Sequence, residues 1–183
     1  VAEPGRSKSL AYIGLGSNVE PEENVVRAIE LLSRETELVS VSRFYRSAAL
    51  RRPEQPEFLN GACCICTNLS ARALKFDVLR GIERRLGRVR SADKYAPRSI
   101  DLDVLLYGDE VCDEEDLRIP DPDIRERAFV ALPLLELWPE AVLPDTGQRL
   151  ADLPVVRQAT GLRVDQGFTE LLHARFMNER EAR

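Results

Sequence analysis

The stretch Tyr95–Asp109 reads YAPRSIDLDVLLYGD, and the placement of its two acids decides how the chain folds. In a strand, successive side chains point to opposite faces. Ile100, Leu102, Val104 and Leu106 then share one face, and Asp101, Asp103, Leu105 and Tyr107 share the other. The apolar set suits a core. The acids lie opposite, with Cβ atoms ~6.6 Å apart along the strand. Two ionised carboxylates at that separation repel by roughly 2–3 kcal/mol at an effective dielectric of about 20. Either solvent screens them on the wet face of an edge strand, or a cation sits between them.

The neighbourhood favours the cation. Between Arg80 and Arg98 lie seven basic residues (Arg80, Arg84, Arg85, Arg88, Arg90, Lys94, Arg98) against Glu83 and Asp93. Downstream, DEVCDEED places six acids between Asp109 and Asp116. A polyanion chelated with a divalent metal fits this succession of charges. The net charge of −5 excludes a general nucleic-acid binder.

Working outward, LAYIGLGSN reads as a strand ending in a turn. Its GxG lacks the third glycine of a dinucleotide fingerprint and the lysine of a P-loop. Pro21 opens a helix with Val25, Ile29 and Leu32 as its apolar stripe. ELVSVSRFYRSAA reads as a second strand, RRPEQPEFLN as an exposed loop, and NGACCICTNL as a third strand. Ser70 caps a second helix that buries Leu79, Ile82 and Leu86 and stops at Gly87. With the strand around Asp101 the order is strand, helix, strand, strand, helix, strand. That is the split βαβ pattern of an α+β, ferredoxin-like fold with a mostly antiparallel sheet. An acidic hairpin, a proline-rich loop IPDPDIRERAF and a helical VALPLLELWPE follow, and TELLHARFMNEREAR reads as a charged helix. The sequence predicts a flexible lead-in over 1–9, a single domain over 10–160 and a helical tail over 161–183.

Composition narrows the chemistry. Apolar residues at 44% and charged residues at 31% are ordinary for a soluble domain, and no apolar run approaches a membrane span. Cys63, Cys64 and Cys66 with a distant Cys112 match no common zinc spacing, so buried free thiols are expected. His173 is the sole histidine and stands near the end, so the main body has no histidine base. The expectation is a cytoplasmic protein, a monomer with oligomers left open, that acts on small molecules and not on nucleic acid or membrane.

Six segments in register resemble one family, the 6-hydroxymethyl-7,8-dihydropterin pyrophosphokinases of folate biosynthesis. They are AYIGLGSN, SRFYRSAAL, QPEFLNGA, GIERRLGRVR, APRSIDLDVLLYG and RERAFVALPLLELWPE, spread between about Leu10 and Asp152. The fifth, similar to PRxxDLDxLLYG, is the strongest piece. The resemblance implies pyrophosphoryl transfer from ATP to the pterin hydroxymethyl, with release of AMP. It implies that Asp101 and Asp103 hold two Mg²⁺ ions and, with Arg88 and Arg98, form the catalytic set. It assigns ATP binding to Glu83, Arg88, Arg90, Tyr95, Arg98, Val104, Arg118, Asp121 and Arg127. It assigns pterin binding to Ser47, Ala48, Leu50, Phe58, Asn60, Tyr95 and Phe129, with the ring between the two phenylalanines. The chain departs from the pattern at Ala96, where glycine is usual, at Phe58, often tyrosine, and at Asp121, usually histidine. Two other readings stay open. One is a relative that binds pterin or nucleotide without turnover, against which the intact acid pair and arginines count. The other is an RNA-binding sheet, against which the missing RNP1 aromatic pattern counts.

Overall fold

A computed structural model describes residues 7–89, 93 and 95–177. The expected lead-in lies outside them as far as residue 6, as do Arg90, Lys94 and the end of the expected tail from residue 178. β1 (Ser9–Ser17) runs up the middle of the sheet and leads into α1 (Pro21–Glu35). Proline at the first turn costs no hydrogen bond, because that amide has no helical partner. Val25, Ile29 and Leu32 are fully buried, each worth about 1.5–3 kcal/mol as an upper estimate.

The strand expected over 37–49 is two strands, β2 (Glu37–Val41) and β3 (Tyr45–Ser47). Ser42 separates them: its amide donates to Ala62 O and its hydroxyl accepts from Ala62 N, both at 2.9 Å. Both strands pair antiparallel with β4 (Phe58–Thr67), which also pairs with β1. Ser70 caps the second helix through Ala73 N. This helix is not uniform. It begins as α2 (Ala71–Ala73), widens into a π-helical turn (Leu74–Leu79) and resumes as α3 (Arg80–Arg85). Gly87 follows with φ +75°, a left-handed stop that glycine adopts without a Cβ clash.

β5 (Asp101–Tyr107) pairs antiparallel with β1 and forms one edge of a six-stranded sheet ordered β5-β1-β4-β3-β8, with β2 also on β4. The hairpin of β6 (Cys112–Glu114) and β7 (Leu117–Ile119) is a small sheet of its own. Next come α4 (Asp123–Glu126), α5 (Ala128–Leu137) and α6 (Pro154–Arg157). β8 (Arg163–Val164) pairs with β3, and α7 (Gln166–Phe176) closes the described chain. The segment read as a tail thus adds a strand to the sheet, and Phe168 and Leu172 to its main core.

The sheet is buried on both faces. One core gathers apolar residues of α1, the α2–α3 segment and α7, and the other gathers residues of α4, α5 and the Ala141–Leu153 region. The arrangement is α+β and ferredoxin-like. One detail corrects the strict alternation expected for β5. Tyr12 pairs with Leu106 and Ile13 with Val104, so Leu105 is an extra residue, a β-bulge. Beyond it the faces exchange. Tyr107 joins Leu102 and Val104 in the first core, and Leu106 joins Leu105 in the second. The acids' side of β5 is therefore no wet outer face, because Leu105 is only 2% exposed.

Candidate functional site

Asp101 and Asp103 line a cavity of about 510 Å³, well within the range of small-ligand pockets. β5 sets the two acids along one wall. β3 and β4 supply Ser47, Phe58 and Asn60, the following loop Ala48 and Leu50, and the start of α5 Phe129. Arg127, between α4 and α5, lies across from them with Asp121 and Asp123. Gly16 on β1 is needed here. A Cβ at that position would stand 3.1 Å from the Asn60 carboxamide oxygen and push it.

One end of the cavity is satisfied from within. Asn60 is 5% exposed, and its Nδ2 donates to Ser47 Oγ at 2.9 Å. Neither Phe58 nor Phe129 belongs to the buried core clusters, and both present ring surface to the cavity. The loops that carry Tyr95 and Arg98 are fastened to their neighbours. Arg98 N donates to Asn18 Oδ1 at 2.7 Å, Asn18 Nδ2 to Gln55 Oε1 at 3.2 Å, and Gln55 Nε2 to Tyr95 O at 2.9 Å. The Arg51 guanidinium stands 5.5 Å over the Tyr95 ring, a cation–π contact.

The other end is dominated by carboxylates. Asp101 accepts from Arg88 Nη2 at 3.1 Å and is also paired with Arg98. Asp103 has no side-chain hydrogen bond or ion pair among the described residues. Burial, followed by the charges of Asp101 and Asp121, pushes its carboxyl up to about 7, and Lys75 pulls the other way. Burial also lifts Asp121, to about 6, even though its carboxylate accepts from Asp123 N at 2.8 Å. Burial raises Asp123 as well. Burial comes first in all three, with like charges of neighbouring carboxylates adding to it, so a cation between these groups would lower them.

The donor set is the test of whether magnesium fits. The donors are oxygens, they are partly shielded from water, and they repel one another in the absence of a cation. No three His, Cys, Asp or Glu side chains among the described residues converge into a ready-made cage. A hard cation held by Asp101 and Asp103, with water and phosphate in the rest of its shell, matches such a sparse set.

The cavity brings together Ser47, Ala48, Leu50, Phe58, Asn60, Tyr95, Arg98, Asp101, Asp103, Asp121, Arg127 and Phe129 from the sequence-based set. Others stand elsewhere. Arg88 reaches the site through its bond to Asp101. Glu83 is buried, and its carboxylate accepts from Leu102 N at 3.0 Å, occupying an outward amide of the edge strand. The Val104 side chain lies in the core on the far face. Arg118 is on the exposed hairpin, 3.4 Å from Asp113. Sequence reasoning missed Asn18, Gln55, Asp123 and Lys75. The first two stand in the quoted GSN and QP segments, where a polar residue beside a turn was the available signal. Lys75 sits on the π-helical turn, which periodicity did not reveal.

The family model for 7,8-dihydro-6-hydroxymethylpterin-pyrophosphokinase matches residues 12–139. The chain is 42% identical over 145 residues to the 2-amino-4-hydroxy-6-hydroxymethyldihydropteridine pyrophosphokinase of Pseudomonas aeruginosa, covering 78% of this chain and 88% of that protein. It is 42% identical over 139 residues to the Haemophilus influenzae protein of the same name, covering 74% and 86%. Among solved structures, it resembles the wild-type HPPK-DHPS of Plasmodium falciparum with STZ-DHP, at a TM-score of 0.59 and 12% identity. That likeness spans 83% of this chain and 42% of the longer one, and it speaks for the fold. The matched residues include most of β1 and all of β3, β4, β5 and the start of α5, the elements that build the cavity, and the chain belongs to the 7,8-dihydro-6-hydroxymethylpterin-pyrophosphokinase family.

Proposed function

We propose that this chain transfers a pyrophosphoryl group from ATP to the hydroxymethyl oxygen of 6-hydroxymethyl-7,8-dihydropterin, giving AMP and the pterin diphosphate of folate synthesis. One observation carries the reading: the carboxylate pair of β5 and the aromatic pair Phe58 and Phe129 open into the same cavity. A flat ring suits the space between the phenylalanines, with Asn60 and Ser47 offering hydrogen bonds to its polar edge. The pterin hydroxymethyl then points toward the acids.

Asp101 and Asp103 are the proposed magnesium ligands, two ions being the expected number. The chemistry that magnesium supplies when bound is neutralisation of the triphosphate and of the charge that develops on the leaving oxygen. The chain's own residues do the positioning. Arg98 and Arg127 line the cavity, and Arg88 adjoins it at Asp101, so these guanidinium groups are the proposed contacts for phosphate oxygens. The substrate oxygen attacks the β-phosphorus in line. The new O–P bond forms as the bond to the bridging α–β oxygen breaks, that oxygen leaves with its electron pair on AMP, and the hydroxyl proton passes to solvent. Such a transfer needs alignment and charge stabilisation more than a base, in keeping with a cavity that has no histidine. ATP-binding roles for Glu83, Val104 and Arg118 have no direct line to the cavity. Glu83 and Val104 are better read as supports of β5.

We assign the protein to the cytoplasm, and leave it as a monomer or an oligomer. Four free cysteines support the compartment, and no helix among the described residues is long and apolar enough to cross a membrane. The decisive experiment is product identification after incubation with ATP, Mg²⁺ and the pterin alcohol. AMP and a pterin diphosphate are expected. ADP as the nucleotide product overturns the pyrophosphoryl assignment, and pterin binding without any nucleotide product favours a non-catalytic relative.

A further inference from the structure

Ser47 and the loop that follows it form one wall of the cavity, yet the strand that delivers them is only three residues long. β3 is held on its inner side by β4, with Tyr45 opposite Asn60 and Ser47 opposite Phe58. Its outer side is held by a segment far away in sequence. Tyr45 pairs with Val164 and Arg46 with Arg163. Asp165 then makes three separate attachments. Its amide donates to Phe44 O at 2.8 Å, one carboxylate oxygen accepts from Arg46 Nε at 2.8 Å, and the other caps α7 through Phe168 N at 3.1 Å. The helix so capped returns two more contacts to the same place. Thr169 Oγ1 accepts from Phe44 N at 3.0 Å, and the Phe168 ring meets Phe44 edge-on at 5.6 Å.

Phe44 carries this support to the cavity floor. Its ring lies against Gly61, where a Cβ would come within 2.6 Å of it, and Gly61 lines the cavity. Two routes therefore run from Asp165 to the aromatic end of the site: Arg46 to Ser47 and Asn60, and Phe44 to Gly61. Neither reaches the acids on β5. Arg46 is tied further to Glu22 at the start of α1, so the strand is anchored on two elements. All of these residues from 163 to 169 lie beyond the 12–139 matched to the family.

We propose that Asp165 is a positioning residue for the pterin wall, and that the segment from Arg163 to Phe176 sets the affinity for the pterin through β3 while leaving nucleotide binding alone. The choice of pterin as the ligand rests on the function proposed above. The test is a set of ligand titrations on the full chain: dissociation constants for the pterin alcohol and for Mg²⁺–ATP in wild type, Asp165→Asn, Arg46→Met and the double variant. Asparagine keeps the oxygen that caps α7 and removes the charge facing Arg46. Each single variant is expected to weaken pterin binding about three- to tenfold, and the double variant no further than Arg46→Met alone, because Arg46→Met already removes the attachment that Asp165→Asn breaks, along with the tie to Glu22. ATP binding stays within about twofold. Unchanged pterin affinity, or equal losses for both ligands, overturns the proposal, and so does a lowered melting temperature with pterin affinity unmoved. Thr169→Val, which removes only the acceptor for Phe44 N, supplies the same comparison if either single variant fails to fold. Binding is read directly, so a wild type that binds pterin but forms no AMP refutes the proposed reaction without touching the positioning role.

Discussion

The two ends of the cavity are built on opposite plans. At the aromatic end the polar groups find partners inside the protein, as Asn60 and Ser47 do, and the rings flank open space. At the acidic end Asp101 takes two arginines, Asp103 takes none, and Asp121 faces the same wall. The first end suits the neutral flat ligand proposed above. The second crowds carboxylates together, and the cations proposed to bind there would neutralise them. Order in one half and frustration in the other is what a two-substrate site needs if one substrate brings metal with it.

The largest expected effect sharpens that contrast within the acidic end itself. Asp103→Asn and Asp101→Asn should each cut turnover at least about a hundredfold, since both remove a proposed metal ligand. Their stabilities should move in opposite directions. Asp103→Asn relieves repulsion in a half-buried carboxylate that has no partner among the described residues, so melting should rise by about 2–4 °C, equivalent to roughly 1 kcal/mol. Asp101→Asn takes the counter-charge from Arg88 and Arg98, so melting should fall. Calorimetry without metal, beside a turnover assay, decides it. If both variants melt lower, the acidic end is not frustrated.

At the aromatic end, Phe58→Ala or Phe129→Ala should weaken pterin binding by about ten- to a hundredfold, the worth of one face of a stacked ring. ATP binding should hardly change. Titrating both ligands distinguishes this from a packing role, which would lower affinity for both together with the melting temperature.

A smaller effect is expected at Asp121. Its carboxylate accepts from Asp123 N, and asparagine preserves that acceptor while deleting the charge. Removing one partly screened negative charge near a triphosphate should tighten ATP binding by on the order of 1 kcal/mol, about fivefold. The gain should shrink in high salt. Titrations at two ionic strengths check it, and an unchanged affinity would show that Asp121 is neutralised already, with Lys75 or Arg127 as the candidates.

Much of this contrast was legible in residues 95–109. The alternation around Asp101 and Asp103 announced a strand with paired acids on one face, and the register of the motifs outside this stretch carried the aromatic pair. The bulge at Leu105 was not legible, because a one-residue slip changes which face Leu106 and Tyr107 occupy without changing composition. The π-helical turn was hidden for a similar reason: Leu74, Leu79, Ile82 and Leu86 are all buried, and a single extra residue keeps the apolar count of a helix. Arg88 and Arg98 read as phosphate ligands, and the fold shows them first as partners of Asp101. The support from Asp165 was beyond reach, since its partners Arg46 and Phe44 are more than a hundred residues away in sequence and nothing local marks the pairing.

The faintest expected signal is a difference in sign between carboxylates at the two ends. Asp103 and Asp121 are raised, whereas Asp165, behind the aromatic wall, is lowered. Burial pushes Asp165 up, but the Arg46 hydrogen bond, the Phe168 amide and the charges of Arg46 and Arg163 outweigh it. Glu22 shares Arg46 and limits the gain. A carboxyl whose folded pKa lies below its unfolded value adds stability that is fully present above the unfolded pKa, near about 4, and is lost as pH falls through the folded pKa. Wild type should therefore exceed Asp165→Asn by a constant margin from about pH 8 to pH 5, of roughly 0.5–1 kcal/mol for a partly exposed pair, and the margin should close below about pH 4. Denaturant melts of both proteins across that range measure it. A margin that persists at pH 3 would mean the Asp165 charge contributes nothing and its hydrogen bonds alone hold β3 to α7.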